Sequence, residues 1–338
     1  MSFHEVDLAI IGAGVTGCYV AQRMHARGVR CVLLEKSRGV GGRCSTRYLD
    51  DGSSVNLGTA FIQTPDTSSE ALRKPINQWQ RSGLLQPVSY LSRSFNNEQT
   101  HRVTGLSAMP VMNAWLKALV ADVPCVFGKP VACLLRDDTG QYWHLLDDDA
   151  QRIVQAKALL LTMPCEQAEA LLATCQTQHV ITPFMQKAYS QWVCTVDITT
   201  PPQTDASMIS DDHPVLMLAR KESDTKQSDV SRWTLLSTYD WAAKHQNLST
   251  DKAAKQMTQA FLDALGTVTG SVSDYTIKTV HFWRYASYPD AMSKSRYLWL
   301  HDNKLGVCGD WLNEGGVLGA LDSAVGFADA VTDAMVAL

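Results

Sequence analysis

The sequence lacks the features that mark several classes of protein. It has no run of about 18 apolar residues, which a transmembrane helix needs. Its 30 Lys and Arg residues against 34 Asp and Glu residues give a net charge of -4, so there is no excess positive charge for nucleic acid or an anionic membrane. A glycine motif that begins at Gly12 leaves little chain before it for a signal peptide. We therefore predict a cytoplasmic protein with no nucleic-acid or membrane partner.

Cysteine is present, but not in a metal-binding or disulfide pattern. The nine cysteines are odd in number and include no CxxC pair, which argues against a zinc site and against a disulfide framework. Most of them stand in apolar runs, where cysteine behaves as a small core residue. We predict no metal ion.

The N-terminal 35 residues contain a dinucleotide-binding pattern. A buried strand is expected at 6–11, a helix follows it, and Glu35 ends the next strand. Between strand and helix stands Gly12-Ala13-Gly14-Val15-Thr16-Gly17. In this motif the first glycine permits the tight turn, the second lets backbone approach a pyrophosphate, and the third lets the helix pack against the sheet. The helix N-terminus attracts the phosphates, and the glutamate can accept both ribose hydroxyls.

A second glycine cluster favours FAD over NAD. Beyond Glu35 the chain reads Lys36-Ser37-Arg38-Gly39-Val40-Gly41-Gly42-Arg43. A plain NAD domain does not require glycines here, whereas a dinucleotide with a flavin half extends past the first helix. Gly41 and Gly42 allow backbone to lie close to the cofactor, and Arg43 can reach a phosphate or the flavin ring.

The remaining patterns divide the chain of 338 residues into two domains. Alternation over 131–163 predicts a hairpin and a long strand, 107–121 reads as a helix, and 251–265 is the clearest amphipathic helix. A strand at 305–308, a glycine turn and an Ala-rich helix from Ala320 to Leu338 end the chain. We assign 1–70, 100–165 and 275–338 to a discontinuous FAD-binding domain, and 71–99 and 166–274 to a substrate domain.

Several of these motifs resemble a known family. The run GAGVTG…LLEKSRGVGGR, followed by DDGSSVNLGTAF and later by LTMPCEQAEALL, is similar to the flavin amine oxidase superfamily. HFWRYA at 281–286 and VCGDWLNEGGVLGA at 307–320 resemble its renalase-like branch. The resemblance spans nearly the whole chain in order. It implies an α/β fold with a Rossmann-type FAD domain, as in p-hydroxybenzoate hydroxylase and amine oxidases, and a second α+β domain on an antiparallel sheet.

The resemblance also implies roles for particular residues, around a non-covalent FAD. The Asp310 carboxylate, in Gly309-Asp310, would take a ribityl hydroxyl, and the turn at Gly316-Val317 would aim a helix N-terminus at the flavin N1/C2=O edge. Val131 would offer backbone to the adenine, and Pro164 would close the strand on the adenine side. Lining the flavin side would be Gly58, Thr59, Ala60 and Phe61.

Two departures from the renalase-like pattern concern the substrate. Asn56 stands where an acidic residue is usual, and Gly316-Val-Leu-Gly-Ala-Leu321 replaces an Arg-Val-Glu-Gly-Ala-Trp run. The loss of Arg, Glu and Trp does not affect the FAD prediction.

Four residues are candidates for the catalytic pocket. Hydride transfer to flavin needs placement and exclusion of water more than acid–base help from protein. Rings can sandwich a flat substrate, so we select Trp192, Tyr239 and Trp283, each of which could instead be core packing. His281 could accept a proton or hold the substrate, or be a structural histidine.

Three functions remain open at this point. The first is a renalase-like oxidase that takes hydride at flavin N5 from a reduced pyridine nucleotide of the NAD(P)H type, including isomeric dihydro forms, and passes electrons to O₂ to give H₂O₂. The second is a true amine oxidase acting on a small amine, or a desaturase, of the same superfamily. The third is an FAD-binding protein that retains no catalysis.

Overall fold

The computed structural model describes residues 5–63, 69–199, 204–222, 230–265, 275–292 and 294–336. The helices are α1 (Val15–His25), α2 (Glu70–Arg81), α3 (Ala114–Leu119), α4 (Cys165–Ala173), α5 (Tyr239–Lys244), α6 (Thr250–Ala264) and α7 (Gly316–Val336). The strands are β1 (Val6–Ile11), β2 (Cys31–Glu35), β3 (Thr46–Tyr48), β4 (Ser54–Asn56), β5 (Gln86–Ser94), β6 (His101–Ser107), β7 (Cys125–Phe127), β8 (Cys133–Arg136), β9 (Trp143–Leu146), β10 (Arg152–Leu161), β11 (Tyr189–Ile198), β12 (Met208–Ser210), β13 (Leu216–Lys221), β14 (Ser231–Ser237), β15 (Tyr275–Ser287), β16 (Tyr297–Leu300) and β17 (Leu305–Cys308).

The first sheet has the order β16-β17-β10-β1-β2-β7, and β8 and β9 extend it beside β10. β10 runs parallel to both β1 and β17, so the predicted Rossmann-type arrangement is confirmed. The strands of this sheet carry apolar side chains on both faces, as expected when other elements cover both sides of a parallel sheet. Leu8, Leu33 and Leu160 pack against α1, α2, α3 and α7. The opposite face packs against α4 and the β8–β9 hairpin through residues such as Leu34 and Trp143.

The second sheet has the order β15-β11-β14-β13-β12-β5-β6, and all neighbours are antiparallel except β12 and β5. One face carries Trp192 and Trp233, which pack with Phe261 of α6 in an apolar core. The other face lies toward the small β3–β4 hairpin, where Val55 and Leu57 meet Val193 and Trp283. This sheet supplies the predicted second domain.

The structure corrects the predicted boundaries at four places. The predicted FAD domain includes 100–165 and 275–338, yet β15 pairs with β11 in the second sheet, and β6 also belongs to that sheet. The helix expected at 107–121 is shorter, because β6 runs to Ser107 and α3 begins at Ala114. α7 begins at Gly316 rather than Ala320, and residues 337–338 lie outside the described part.

Among the described residues, no helix is both long and apolar enough to span a membrane.

All nine cysteines are free thiols, and six are buried, as predicted. Burial raises the pKa of Cys31 and of Cys194 to about 12, so these thiols stay protonated and apolar at neutral pH.

Candidate functional site

The turn between β1 and α1 has the geometry that the glycine motif predicts. Gly12 has φ +109°, a conformation that L side chains rarely adopt. A Cβ on Gly17 would lie 1.9 Å from the Gly12 carbonyl oxygen, whereas a Cβ on Gly14 would meet nothing within 4 Å. The first and third glycines are therefore required by the fold itself. Gly14 borders open space, which is where a ligand could approach the backbone.

A threonine that sequence reasoning missed supports this turn from the next strand. The Thr162 hydroxyl lies 2.9 Å from the carbonyl oxygens of both Ile11 and Gly12. The Ile11 carbonyl also accepts from the Thr162 amide at 3.0 Å, and the hydroxyl gives the Gly12 carbonyl, beyond the end of β1, a hydrogen-bond partner. No pattern in the sequence links residue 162 to residue 12, because the pairing of β10 with β1 brings them together.

Glu35 lies at the end of β2 with its carboxylate fixed by two backbone groups. Its Oε2 accepts from the Ala13 amide at 2.9 Å, and its Oε1 accepts from the Ser37 amide at 2.8 Å. Each oxygen keeps a free lone pair for a further donor. The carboxylate is thus held where the ribose of a bound dinucleotide is predicted.

A cleft of about 340 Å³ opens beside this glutamate. The predicted residues Gly12, Glu35, Lys36 and Val131 all line it. Met163, Gln167 and Lys129 also line it, and sequence reasoning had not selected them. Pro164 stands next to this wall as the N-cap residue of α4. The cleft is mainly apolar with a few charged ends, which suits a flat base attached to a ribose.

The second glycine cluster folds over the first. The Gly41 amide donates to the Ala13 carbonyl at 2.9 Å, and a Cβ on Gly42 would lie 3.2 Å from the Gly14 Cα. The Thr59 amide donates to the Arg43 carbonyl, and a Cβ on Gly58 would lie 2.1 Å from that oxygen. Three separate stretches of backbone, at 12–14, 41–43 and 58–59, therefore form one surface.

Arg43 and Asp310 form an ion pair at the inner end of this surface. The distances are 2.8 Å from Nη1 to Oδ2 and 2.5 Å from Nη2 to Oδ1, and Asp310 is buried. Burial alone lowers the pKa of Arg43, but the charge and hydrogen bonds of Asp310 raise it above its ordinary value. Asp310 also accepts from the Gly316 amide at 3.0 Å. Asp310 thus positions both the arginine and the first turn of α7.

The N-termini of α1 and α7 are joined directly. The buried Thr16 hydroxyl donates to the Ala320 carbonyl at 3.0 Å. Two helices therefore begin at neighbouring points of the same edge, and each N-terminus carries partial positive charge. The predicted residues Val15 and Val317 lie in the first turns of these two helices.

His281 and Trp283 lie on the β15 face that is directed toward the β3–β4 hairpin. Their rings are 4.3 Å apart at 74°, and Trp283 Nε1 donates to the Leu57 carbonyl at 3.1 Å. Leu57 directly precedes the predicted flavin-lining segment at 58–61. Within that segment Ala60 is buried, and Phe61 packs on Tyr90 with ring centroids 5.0 Å apart.

The environment of His281 keeps its ring neutral. Burial, together with the positive charge of Arg47, lowers the pKa of His281 below 6.5. A neutral imidazole can accept or donate one hydrogen bond without bringing charge into the site.

The structure does not bring Trp192 and Tyr239 to this pair. Trp192 is 2% exposed, packs on Phe282 at 4.7 Å and donates from Nε1 to the His245 carbonyl. It pairs with Phe282 while Val193 pairs with His281, so strand alternation turns it toward the α6 core. Tyr239 begins α5 and packs on Tyr189 at 5.4 Å.

Asn56, which stands where the resembled pattern has an acidic residue, uses its side-chain oxygen as a hydrogen-bond acceptor. Its Oδ1 accepts from the Met112 amide at 2.9 Å and lies 3.3 Å from the Thr46 hydroxyl. An amide oxygen can fill this acceptor position as well as a carboxylate oxygen can. The substitution is therefore compatible with the fold at this point.

A comparison with protein families supports the nucleotide-binding half. The family described as "NAD(P)-binding Rossmann-like domain" matches residues 10–76. Among curated proteins, a 4,4'-diapophytoene desaturase of Staphylococcus haemolyticus is 29% identical over 86 residues, 25% of this chain and 17% of the relative. The enzyme of the same name from Staphylococcus aureus MRSA252 is 39% identical over 61 residues, 18% of this chain and 12% of the relative. The chain thus matches less than a fifth of the length of these relatives.

Solved structures match over the whole chain. Putrescine oxidase bound to putrescine has a TM-score of 0.63 at 11% identity, with 99% of this chain and 100% of that chain covered. Cyclohexylamine oxidase from Brevibacterium oxydans IH-35A has a TM-score of 0.66 at 12% identity, with 97% and 99% covered. The fold is therefore that of amine oxidases. The family match over residues 10–76 agrees with the dinucleotide-binding turn that the glycine motif predicts.

Proposed function

We propose that this protein is an FAD-dependent oxidoreductase that takes a hydride from a small molecule. The observation that carries the proposal is the continuous backbone surface that runs from Glu35 across Gly14 and Gly42 to Arg43. The amides of 41 and 59 fix this surface, and it extends beyond what the ADP half of a dinucleotide would occupy.

The residues present fit FAD along its length. The cleft beside Glu35 and Val131 would hold the adenosine, and the open space at Gly14 would admit the pyrophosphate. Arg43, Asp310 and the first turn of α7 would contact the flavin half. Positive potential from that helix terminus would stabilise negative charge on the flavin edge. When bound, FAD would supply the redox chemistry, namely uptake of a hydride and transfer of two electrons to O₂, which with two protons gives H₂O₂.

We further propose a dihydronicotinamide, in an ordinary or isomeric reduced form, as the hydride donor. The rings of Trp283, Phe61 and Tyr90 lie beside the proposed flavin-lining segment, and a flat ring can pack between such side chains and the flavin. The neutral His281 would offer one hydrogen bond in the same region. No charged side chain of this group would have to change its protonation state during hydride transfer.

Anaerobic stopped-flow spectroscopy tests the donor. FAD-loaded protein is mixed with NADH, NADPH and their 2- and 6-dihydro isomers, and the flavin absorbance is followed. Rapid bleaching with one of them, followed by reoxidation and one H₂O₂ per donor on admission of O₂, supports the proposal. Flavin that no dihydronicotinamide reduces would exclude this donor class.

A small amine is the second candidate, and the full-length likeness to putrescine oxidase and cyclohexylamine oxidase favours it. Peroxide production on a panel of primary amines and diamines distinguishes it from the first. Normal FAD binding with neither donor class active would instead favour the third reading, a flavin-binding protein without retained catalysis.

A further inference from the structure

A cluster of charges, buried at Asp197 and Arg232 and partly exposed at Asp51 and Lys278, joins the two domains away from the proposed cofactor surface. Asp197 and Arg232 are paired residues on the neighbouring strands β11 and β14. Arg232 Nε and Nη2 contact Asp197 at 2.6 and 2.8 Å, and only 2% of the Arg232 side chain is exposed. The Arg232–Asp197 pair lies within the second sheet and is bidentate, so the arginine charge is already balanced without a third residue.

The third partner nevertheless comes from the other domain. Asp51, in the turn of the β3–β4 hairpin, contacts Arg232 Nη2 at 2.8 Å, and the Ser53 hydroxyl contacts Arg232 Nη1. Lys278 of β15 lies 3.6 Å from Asp51 and 3.9 Å from Asp197. Two cations and two carboxylates thus balance one another. The buried Arg232–Asp197 part of this network is costly to desolvate and is weak evidence for stability alone, which raises the question of what the network positions.

The hairpin whose turn it holds leads at both ends into the proposed cofactor surface. β3 follows Arg43 by three residues, and β4 precedes Gly58 by two. The two ends are joined by the Thr59 amide to the Arg43 carbonyl and by the Leu57 amide to the Ser45 carbonyl. The three-residue strands pair from Thr46–Asn56 to Tyr48–Ser54. A displacement of the turn would therefore be transmitted to both ends.

We propose that Arg232 and Asp51 are positioning residues, and that their contact across the domains sets the placement of Arg43 and Gly58–Thr59 against the cofactor. The substrate sheet holds the far end of the hairpin through Arg232. It holds the near end through Trp283 on the Leu57 carbonyl and Arg220 on the Asn56 carbonyl at 3.3 Å. The inference rests on the proposed FAD function, and it adds that the second sheet tunes the flavin site from a distance.

Asp51→Asn tests this contact, because it removes the charge that faces Arg232 and leaves the Arg232–Asp197 pair intact. FAD titration of the apoprotein, the visible flavin spectrum and the flavin midpoint potential are measured. We expect the dissociation constant for FAD to rise about tenfold, a change equivalent to about 1.4 kcal/mol, with a shifted flavin band. Asp51→Glu, which keeps the charge, should recover most of the wild-type values.

The matched control is Asp50→Asn, the same chemical change at the exposed neighbouring position of the same turn. It should leave all three readouts at wild-type values. A lower melting temperature of Asp51→Asn apoprotein with unchanged FAD affinity, spectrum and potential would overturn the inference and leave a purely structural ion cluster. Wild-type protein that never binds FAD would overturn the proposed function and the inference together. Normal FAD binding by wild type and Asp51→Asn alike overturns the inference alone.

Discussion

The two sheets use polar side chains in opposite ways. The parallel sheet is apolar on both faces, and its chemistry-bearing residues, such as Glu35 and Gly12, stand at the carboxyl ends of strands. The antiparallel sheet carries Trp192 on one face and Asp197, His281 and Trp283 on the other. In the parallel sheet, a residue belongs to the candidate site when it stands at the end of a strand. In the antiparallel sheet, a residue belongs to the candidate site when its side chain lies on the face directed toward the β3–β4 hairpin.

The largest expected effect comes from substituting Trp192, the tryptophan on the core face of the antiparallel sheet. Trp192→Ala should lower the free energy of unfolding by about 3–5 kcal/mol, because it empties a fully packed core position. Flavin absorption and the rate of flavin reduction in the folded protein should stay near wild type. Urea denaturation and anaerobic reduction measure the two effects. A reduction rate that falls with Trp192→Phe, which keeps most of the volume, would place this ring in the pocket after all.

The strand-end rule of the parallel sheet is tested by Gly14→Ala. No described atom lies within 4 Å of the added Cβ, so the apoprotein should melt like wild type. The methyl group would occupy the space of the pyrophosphate, and we expect FAD affinity to fall about 100-fold, about 2.7 kcal/mol. Isothermal calorimetry and thermal melting separate the two. Gly39→Ala, at another glycine with open surroundings, is the control and should bind FAD normally.

Trp283→Phe tests the polar face of the antiparallel sheet. The change removes the hydrogen bond to the Leu57 carbonyl and should cost about 1 kcal/mol of stability. Since Leu57 precedes the flavin-lining segment, the flavin spectrum should also shift, which Trp192→Phe should not cause. Equal spectra for both variants would contradict the assignment of opposite roles to the two faces.

The smallest expected effect is a change in how the free energy of unfolding depends on pH. Burial lowers the pKa of His281 below 6.5 in the folded state, so the unfolded chain binds the proton more readily. The stability associated with a neutral His281 is complete above about pH 6.5 and is lost as the pH falls toward the lowered value. His281→Gln should therefore flatten the loss of stability between about pH 7 and 5. His213, whose pKa burial also lowers, retains its own slope, and an unchanged profile would mean that the pKa of His281 is the same in the folded and the unfolded state.

Local sequence patterns were sufficient for the nucleotide-binding half. The glycine turn, Glu35, the second glycine cluster and the strand at 305–308 all lie where their residue types and spacing predict, because each depends on a few neighbouring residues. The predicted helix at 107–121 is wrong at its start, because Ser107 belongs to β6 and residues 108–113, which include Pro110, form bends and turns before α3. The predicted FAD domain includes 275–287, whereas β15 pairs with β11 in the second sheet. Strand pairing depends on residues far apart in the chain, so the sequence of β15 alone does not predict its partner.

The sequence by itself determined the turn chemistry: which backbone can approach a pyrophosphate, which carboxylate follows the second strand, and which residues are too apolar to remain in water. Only the tertiary structure decided that Thr162 supports that turn, that Asp310 pairs with Arg43, and that Trp192 and Trp283 point in opposite directions. The physical reason is range. Backbone conformation and burial propensity are properties of a residue and its neighbours. An ion pair between Asp51 and Arg232 exists only after the β3–β4 hairpin has packed against the antiparallel sheet.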